Sequence, residues 1–254
     1  MKKDIMYIHS IDEFKIKNRN VELIGETHIE FQKNIPNCLD KGYKLITEYI
    51  EEKVNDDFVL ILELDEKFIG TCLDTYSTNL NLLQRLDCNK IYADVRYSIN
   101  ENYQIMYDFD PKDIDFDKFK ELMNLDLSVL TNFLKKSKFD SKKDKEFIKS
   151  LIEDIEYCKK LMIESVSSLK KYKKLGDIEE FDTSFMEKTK TFLGKTYPDR
   201  LHEVLQHTWK KVTDVCIIIL LLANNHLHQN NVTILIGFEH VINMKKILQK
   251  YCSL

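Results

Sequence analysis

Residues 21–28, VELIGETH, decide the fold once they are set beside residues 233–240, TILIGFEH. Each copy is a short apolar run closed by a glycine, with a histidine three residues after it: Gly25 and His28 in the first, Gly237 and His240 in the second. Such runs read as buried strands, and the glycines punctuate their ends. Strand candidates are therefore 21–24, FVLILE at 58–63, KIYADV at 90–95 and VTILI at 232–236. Helical periodicity separates the first three, across Leu39–Val54 and near Leu73–Leu86. Strand, helix, strand, helix, strand is the pattern of parallel βαβ units. The expected fold is α/β, a central and mostly parallel sheet flanked by helices.

From Pro111 to about Glu187 the chain turns helical and highly charged, with apolar residues at Phe119, Leu122, Leu130 and Phe133, then Phe147, Leu151 and Ile155. We read 111–190 as a helical insertion or lid between the third and fourth main strands, inside a single α/β domain spanning 1–254. Pro198 occupies a first-turn position, and Leu201, Val204, Leu205, Val212 and Val215 then trace an amphipathic helix. That helix runs into VCIIILLLA at 215–223, far short of the roughly 20 residues that a bilayer span needs. It reads as a core helix, with a loop over Thr189–Tyr197 before it.

Composition narrows the class. With 254 residues, 43% hydrophobic and 31% charged, and only 6 Gly and 3 Pro, the chain reads as a globular, helix-rich protein. A net charge of -4 and a pI near 6.0 give no general attraction to nucleic acid. Lysines cluster at 135–145 and 170–174, but Asp140, Asp144 and Glu146 interleave with the first group, as on a solvated helix face. Six cysteines, at 38, 72, 88, 158, 216 and 252, form no CxxC pair, so reduced thiols and a cytoplasmic location are expected. The opening MKKDIMYIHSIDEF lacks the apolar centre of a signal peptide, so no export is expected.

All four strand candidates deliver polar groups to one edge: Glu26 and His28, Glu63, Asp94 and Arg96, and His240 beside Glu239. Ligands of open parallel sheets bind at the carboxyl ends of the strands, which makes Glu26, His28, Glu63, Asp94, Arg96 and His240 the candidate catalytic residues. His28, His240, Glu26 and Glu63 would hold a divalent ion (Mn, Co, Fe or Zn) through a mixed nitrogen and oxygen shell. Without a metal, a histidine oriented by a carboxylate would be the general base and Arg96 would steady an oxyanion. His226 and His228 lie in a polar NNHLHQNN loop and read as an exposed turn. His202 and His207, five apart, are off the spacing that would co-ligate a metal.

GETH near one end, IGFEHVINMKKIL near the other and a glutamate closing the second strand resemble the TraB/Tiki superfamily, which includes erythromycin esterase-like and ChaN-like groups. The likeness covers roughly residues 20–97 and 195–250. It implies the same α/β fold and hydrolase chemistry, as a metal-dependent protease in the Tiki-like group and as a metal-independent, histidine-based esterase in the other. It marks Gly25, His28, Gly237 and His240 as paired GxxH motifs, Glu63 as the strand-end acid, and Glu26 with them. Several branches carry Arg-Asp in the helix before the last strand, where this chain has Thr213-Asp214. The expected function is hydrolysis of an amide or ester bond in a peptide or small substrate. The alternative is a non-catalytic binding or structural protein that docks a protein partner through its helical insertion; a haem or iron role, from the ChaN-like likeness, ranks third.

Overall fold

The computed structural model describes residues 5–29, 46–63, 83, 86–93, 116–167 and 201–254. Two compact units result, one formed by Met1–Asp94 with Leu220–Leu254, the other by Val95–Ile219. The 111–190 segment lies within the second.

The first unit is α/β, built on a five-stranded mixed sheet in the order β1-β2-β5-β3-β4. The strands are β1 (Ile5–Ile16), β2 (Arg19–Ile29), β3 (Phe58–Leu62), β4 (Asn89–Tyr92) and β5 (Asn231–Gly237). β2, β5, β3 and β4 run parallel, and β1 pairs antiparallel with β2 through a hairpin turned at Lys17, which takes φ 56. The last strand in the chain is thus the central one. Its burial explains the near-continuous apolar sequence: Val232 through Ile236 are all buried, as is every residue of β3.

Helices cover both faces. On one face Ile24, Leu60, Leu62 and Leu235 form a cluster with Ile46 and Ile50 of helix α1 (Ile46–Glu51). The last helix of the chain, Phe238–Cys252, packs on β2 and β1 from the other face, where its Lys245 pairs with Asp12. Val241, Met244 and Leu248 of that helix are buried at the i, i+3, i+7 spacing of an amphipathic element.

The second unit contains α2 (Phe116–Lys136) and α3 (Lys142–Ser167), which pack on each other. Ser141 caps α3 by accepting the Asp144 N–H at 3.0 Å, and Ile148, Leu151, Ile152 and Ile155 make its buried stripe. Helix α4 (Leu201–Leu222) carries the apolar run, buried from Val212 onward, and ends in the first unit; the final helix is α5. No helix among the described residues is long and apolar enough to cross a membrane.

Three boundaries differ from the sequence reading. β1 was not anticipated. Because β1 supplies an antiparallel partner as far as Ile5↔Ile29, β2 does not stop at Gly25 but continues through Glu26 and His28. β4 ends at Tyr92 rather than at residue 95, and Asp94 and Arg96 lie outside the described residues. The expected helices over 39–54 and 73–86 are described only in part, and the 189–197 loop not at all.

Candidate functional site

The GxxH echo folds in two different ways because the neighbouring strands differ. Gly25 pairs with both Ser10 and Ile236, so the backbone beyond it still has partners and stays extended. At Gly237 the β5 ladder ends. The chain turns at once into α5, with Gly237 as N-cap at φ -57 and ψ 143. The first amides of any helix lack an intrahelical acceptor, and here a side chain from the adjacent strand supplies one. Glu63, the residue after β3, accepts the Gly237 N–H at 2.9 Å through Oε2.

Its other oxygen meets the histidine of the motif. His240 stands in the first turn of α5, and its Nε2 lies 3.0 Å from Glu63 Oε1. The imidazole is 3% exposed and the carboxylate half-buried. One carboxylate thus joins a helix N-terminus, whose dipole favours negative charge, to a buried imidazole in the same turn. A Cβ built on Gly237 would stand 3.4 Å from Glu63 Oε2, an ordinary contact, and φ is ordinary, so a methyl group fits here but a branched side chain would meet the carboxylate.

Glu26 lies directly opposite Gly237 in the β2–β5 ladder, on the far side of β5 from Glu63. Strand alternation starts the two acids toward different faces. Ile24 and Leu62 both belong to the α1 cluster, so Glu26 leaves toward α1 and Glu63 toward α5. α1 follows β2 on one face and α5 follows β5 on the other, so β2 and β5 are neighbouring strands whose following helices lie on opposite faces.

The structure therefore brings Glu63 and His240 together and sets the backbone of Glu26 beside them. The backbone of His28 is in β2, while its side chain, like that of Glu239, is outside the described residues, as are Asp94 and Arg96. His226 is half-buried and His228 exposed in the loop before β5. Burial holds the His226 imidazole below its ordinary pKa. Thr213 and Asp214 are buried in α4. Among the described residues no group of three or more His, Cys, Asp or Glu is placed to hold a metal ion.

Two features had no reading in the sequence. The use of the Gly237 amide as an anion donor needs the strand order, which places β3 against β5. Arg19 is 7% exposed and donates from both terminal nitrogens, to the Leu221 carbonyl at 2.8 Å and the Leu227 carbonyl at 2.9 Å. It closes the C-terminus of α4 and sets the path into β5. Comparisons with protein-family models, with curated proteins and with solved structures give no match, so the likeness to the TraB/Tiki superfamily rests on the motifs.

Proposed function

We propose that the chain hydrolyses ester or amide bonds, with His240 as general acid–base and Glu63 as its orienting carboxylate. The observation that carries this reading is the 3.0 Å approach of Glu63 Oε1 to His240 Nε2, with the second oxygen fixed by the Gly237 amide. A carboxylate anchored by the Gly237 amide and lying 3.0 Å from Nε2 would favour the imidazolium formed when water is deprotonated. A positioned base of this kind contributes about 10²–10⁴-fold. The substrate would be a peptide or a small ester or amide. The helical segment between β4 and β5 in sequence, read as an insertion over 111–190, would confer selectivity or bind a protein partner.

A metal-dependent form of the same chemistry would use a divalent ion to supply a water of lowered pKa. Glu63 and His240 provide two ligands, and Glu26 starts toward the other face, so the described residues alone do not complete a shell. That form requires His28. A second, structural reading is favoured by the burial of His240, 3% exposed: the pair would fasten α5 to the end of β3 without turning over substrate.

The discriminating experiment compares wild type, His240→Ala and Glu63→Gln on p-nitrophenyl esters and a quenched peptide library, with and without chelator. Hydrolysis that falls at least 100-fold in both variants, in protein that keeps its circular dichroism, supports the proposal. Insensitivity to chelator assigns the metal-free form. Loss in chelator, with metal content that drops in His28→Ala, assigns the metal form. A wild type with no turnover, or variants within threefold of it, leaves the structural reading in its place.

A further inference from the structure

In the first unit buried charge is matched at close range. Glu22, 8% exposed, accepts from Tyr49 Oη at 2.6 Å and from Lys53 Nζ at 2.7 Å, both at Oε1, and from Thr233 Oγ1 at 3.3 Å at Oε2. The second unit concentrates surface charge of one sign instead. Five residues, 137–141, join α2 to α3, with Lys135, Lys136 and Lys138 on one side of the bend and Lys142, Lys143, Lys145 and Lys149 on the other, all of them exposed. Seven lysines against three acids give residues 135–149 a formal charge of +4, in a chain whose net charge is -4.

The interleaving acids offset this less than the sequence suggests. Asp144 is 1% exposed and belongs to the cap of α3, its N–H bonded to Ser141 Oγ, while Glu146 is engaged with Lys142 at 3.3 Å. Helix stability does not call for the arrangement either. Lys135 and Lys136 suit the carbonyl end of α2, but Lys142, Lys143 and Lys145 stand in the first turn of α3, where the helix dipole disfavours a cation. Lys149 has Glu153 one turn on, so the cluster proper is the six lysines from 135 to 145. Screening isolates it. The exposed acids Glu153 and Asp154 begin about 16 Å along α3 from Lys142 at 1.5 Å per residue, roughly two Debye lengths at physiological salt, and α2 has no acid after Asp126.

We infer that the α2–α3 bend docks end-on to an anionic lipid surface. The six lysines gather at one end of a pair of packed helices, whose axes lie about 8–10 Å apart, and so form a compact patch suited to a flat array of charge. A nucleic-acid binder spreads its charges as a stripe and favours forked guanidinium contacts, whereas residues 135–149 contain no arginine. Phe139, half-buried in the middle of the bend, adds an apolar contact that a bilayer interface rewards and an acidic polypeptide does not. Each lysine held near an anionic bilayer strengthens binding about fivefold. The surface is separate from the Glu63–His240 pair and does not depend on the hydrolase reading.

The test is co-sedimentation of the full chain with phosphatidylcholine vesicles, pure or carrying about 30 mol% phosphatidylserine. Affinity for the anionic vesicles should exceed that for the neutral ones at least tenfold and fall as salt is raised. Lys138→Gln, Lys142→Gln, Lys143→Gln and Lys145→Gln combined should weaken it at least twentyfold, and Phe139→Ser at least threefold. Lys160→Gln, on α3 but beyond the cluster, should stay within twofold of wild type. The four lysines are exposed, so the combined variant keeps its fold, which circular dichroism checks. The inference is overturned if neutral and anionic vesicles bind alike, if the folded combined variant binds as wild type does, or if Phe139→Ser changes nothing. It is also overturned if duplex DNA or poly-L-glutamate, at equal anionic charge, binds more tightly than the vesicles and loses that binding in the combined variant, because the bend then serves another polyanion.

Discussion

Replacing Arg19 with methionine should cost the first unit about 3 kcal/mol, for reasons that can be followed atom by atom. The guanidinium is 7% exposed, and its two bonds, 2.8 Å to Leu221 O and 2.9 Å to Leu227 O, hold carbonyls in the last turn of α4 and in the loop beyond it. Hydrogen bonds from a charged donor contribute about 1.5–3 kcal/mol each, and a cation at a helix C-terminus about 0.3–1 kcal/mol more. Against this stands the desolvation of the guanidinium, which methionine avoids while keeping most of the apolar stem. The net, about 3 kcal/mol, is a large share of the roughly 5–15 kcal/mol that typically separates folded from unfolded protein. Lys17 is the internal control. It donates to the adjacent Leu222 carbonyl at 2.7 Å from a half-buried position where water can take its place, so Lys17→Met should cost about 1 kcal/mol or less. Urea unfolding followed by circular dichroism would measure both, and hydrogen exchange at residues 220–236 would localise the loss. Equal effects from the two substitutions, or an Arg19 effect under about 1 kcal/mol, would show that water satisfies these carbonyls and that the cap argument fails.

Other expectations follow from the same contacts. Glu63→Gln keeps the shape but weakens both the acceptor at the Gly237 amide and the partner of His240, so stability should fall by about 1–3 kcal/mol; an unchanged urea midpoint would contradict the pairing. Gly237→Ala should cost no more than about 1 kcal/mol, because φ is ordinary and the new Cβ stops 3.4 Å from the carboxylate, whereas Gly237→Val should displace Glu63 and mimic Glu63→Gln. Thermal melts of the two variants would have to differ. The Glu22 network predicts alkaline sensitivity. Burial lowers the Lys53 pKa, but its bonds to Glu22 and Tyr49 more than offset this and raise it above 10.5; burial and Glu22 raise Tyr49 above 10.0. Both groups therefore add stability that is complete below pH 10 and lost as pH climbs through the folded values. Tyr49→Phe should flatten that decline in a stability–pH profile. His226 has the opposite sign: its lowered value adds stability above pH 6.5 that is lost on acidification, and His226→Gln should remove that part of the acid limb.

How much of this was legible in the sequence depends on whether the cause was local. The runs of β2, β3 and β5 were readable because burial on both faces leaves an apolar signature that no loop shares, that of β4 from its alternation with helices, and α4 because Val215–Ala223 is too apolar to be exposed and too short to span a bilayer. β1 was not readable: its polar residues, Ser10, Asp12, Glu13 and Lys15, belong to an edge strand, where charge is an advantage against further pairing. Missing β1 produced the error at Gly25, since only the antiparallel partner carries β2 on to Ile29. Glu63 was legible as a strand-end acid, but not as a cap on α5, because that contact depends on β5 being inserted between β2 and β3. Arg19 and Glu22 gave a weaker sign, a charge abutting an apolar run, and their partners lie far along the chain or in α1 and the turn after it.

The two GxxH copies show why a repeated motif fixes residues more firmly than it fixes geometry. A glycine that ends an apolar run places the next three residues at the sheet's edge, but whether they continue as strand or start a helix is decided by which backbone donors still have acceptors. In the first copy β1 provides them, and the backbone through His28 stays in β2. In the second no strand among the described residues does, and the carboxylate of Glu63 takes over at Gly237 while α5 begins. The same four-residue spacing thus yields one extended segment and one helical turn on adjacent strands. Only the helical copy sets its histidine against a carboxylate among the described residues, and for that reason the acid–base role we propose is given to His240.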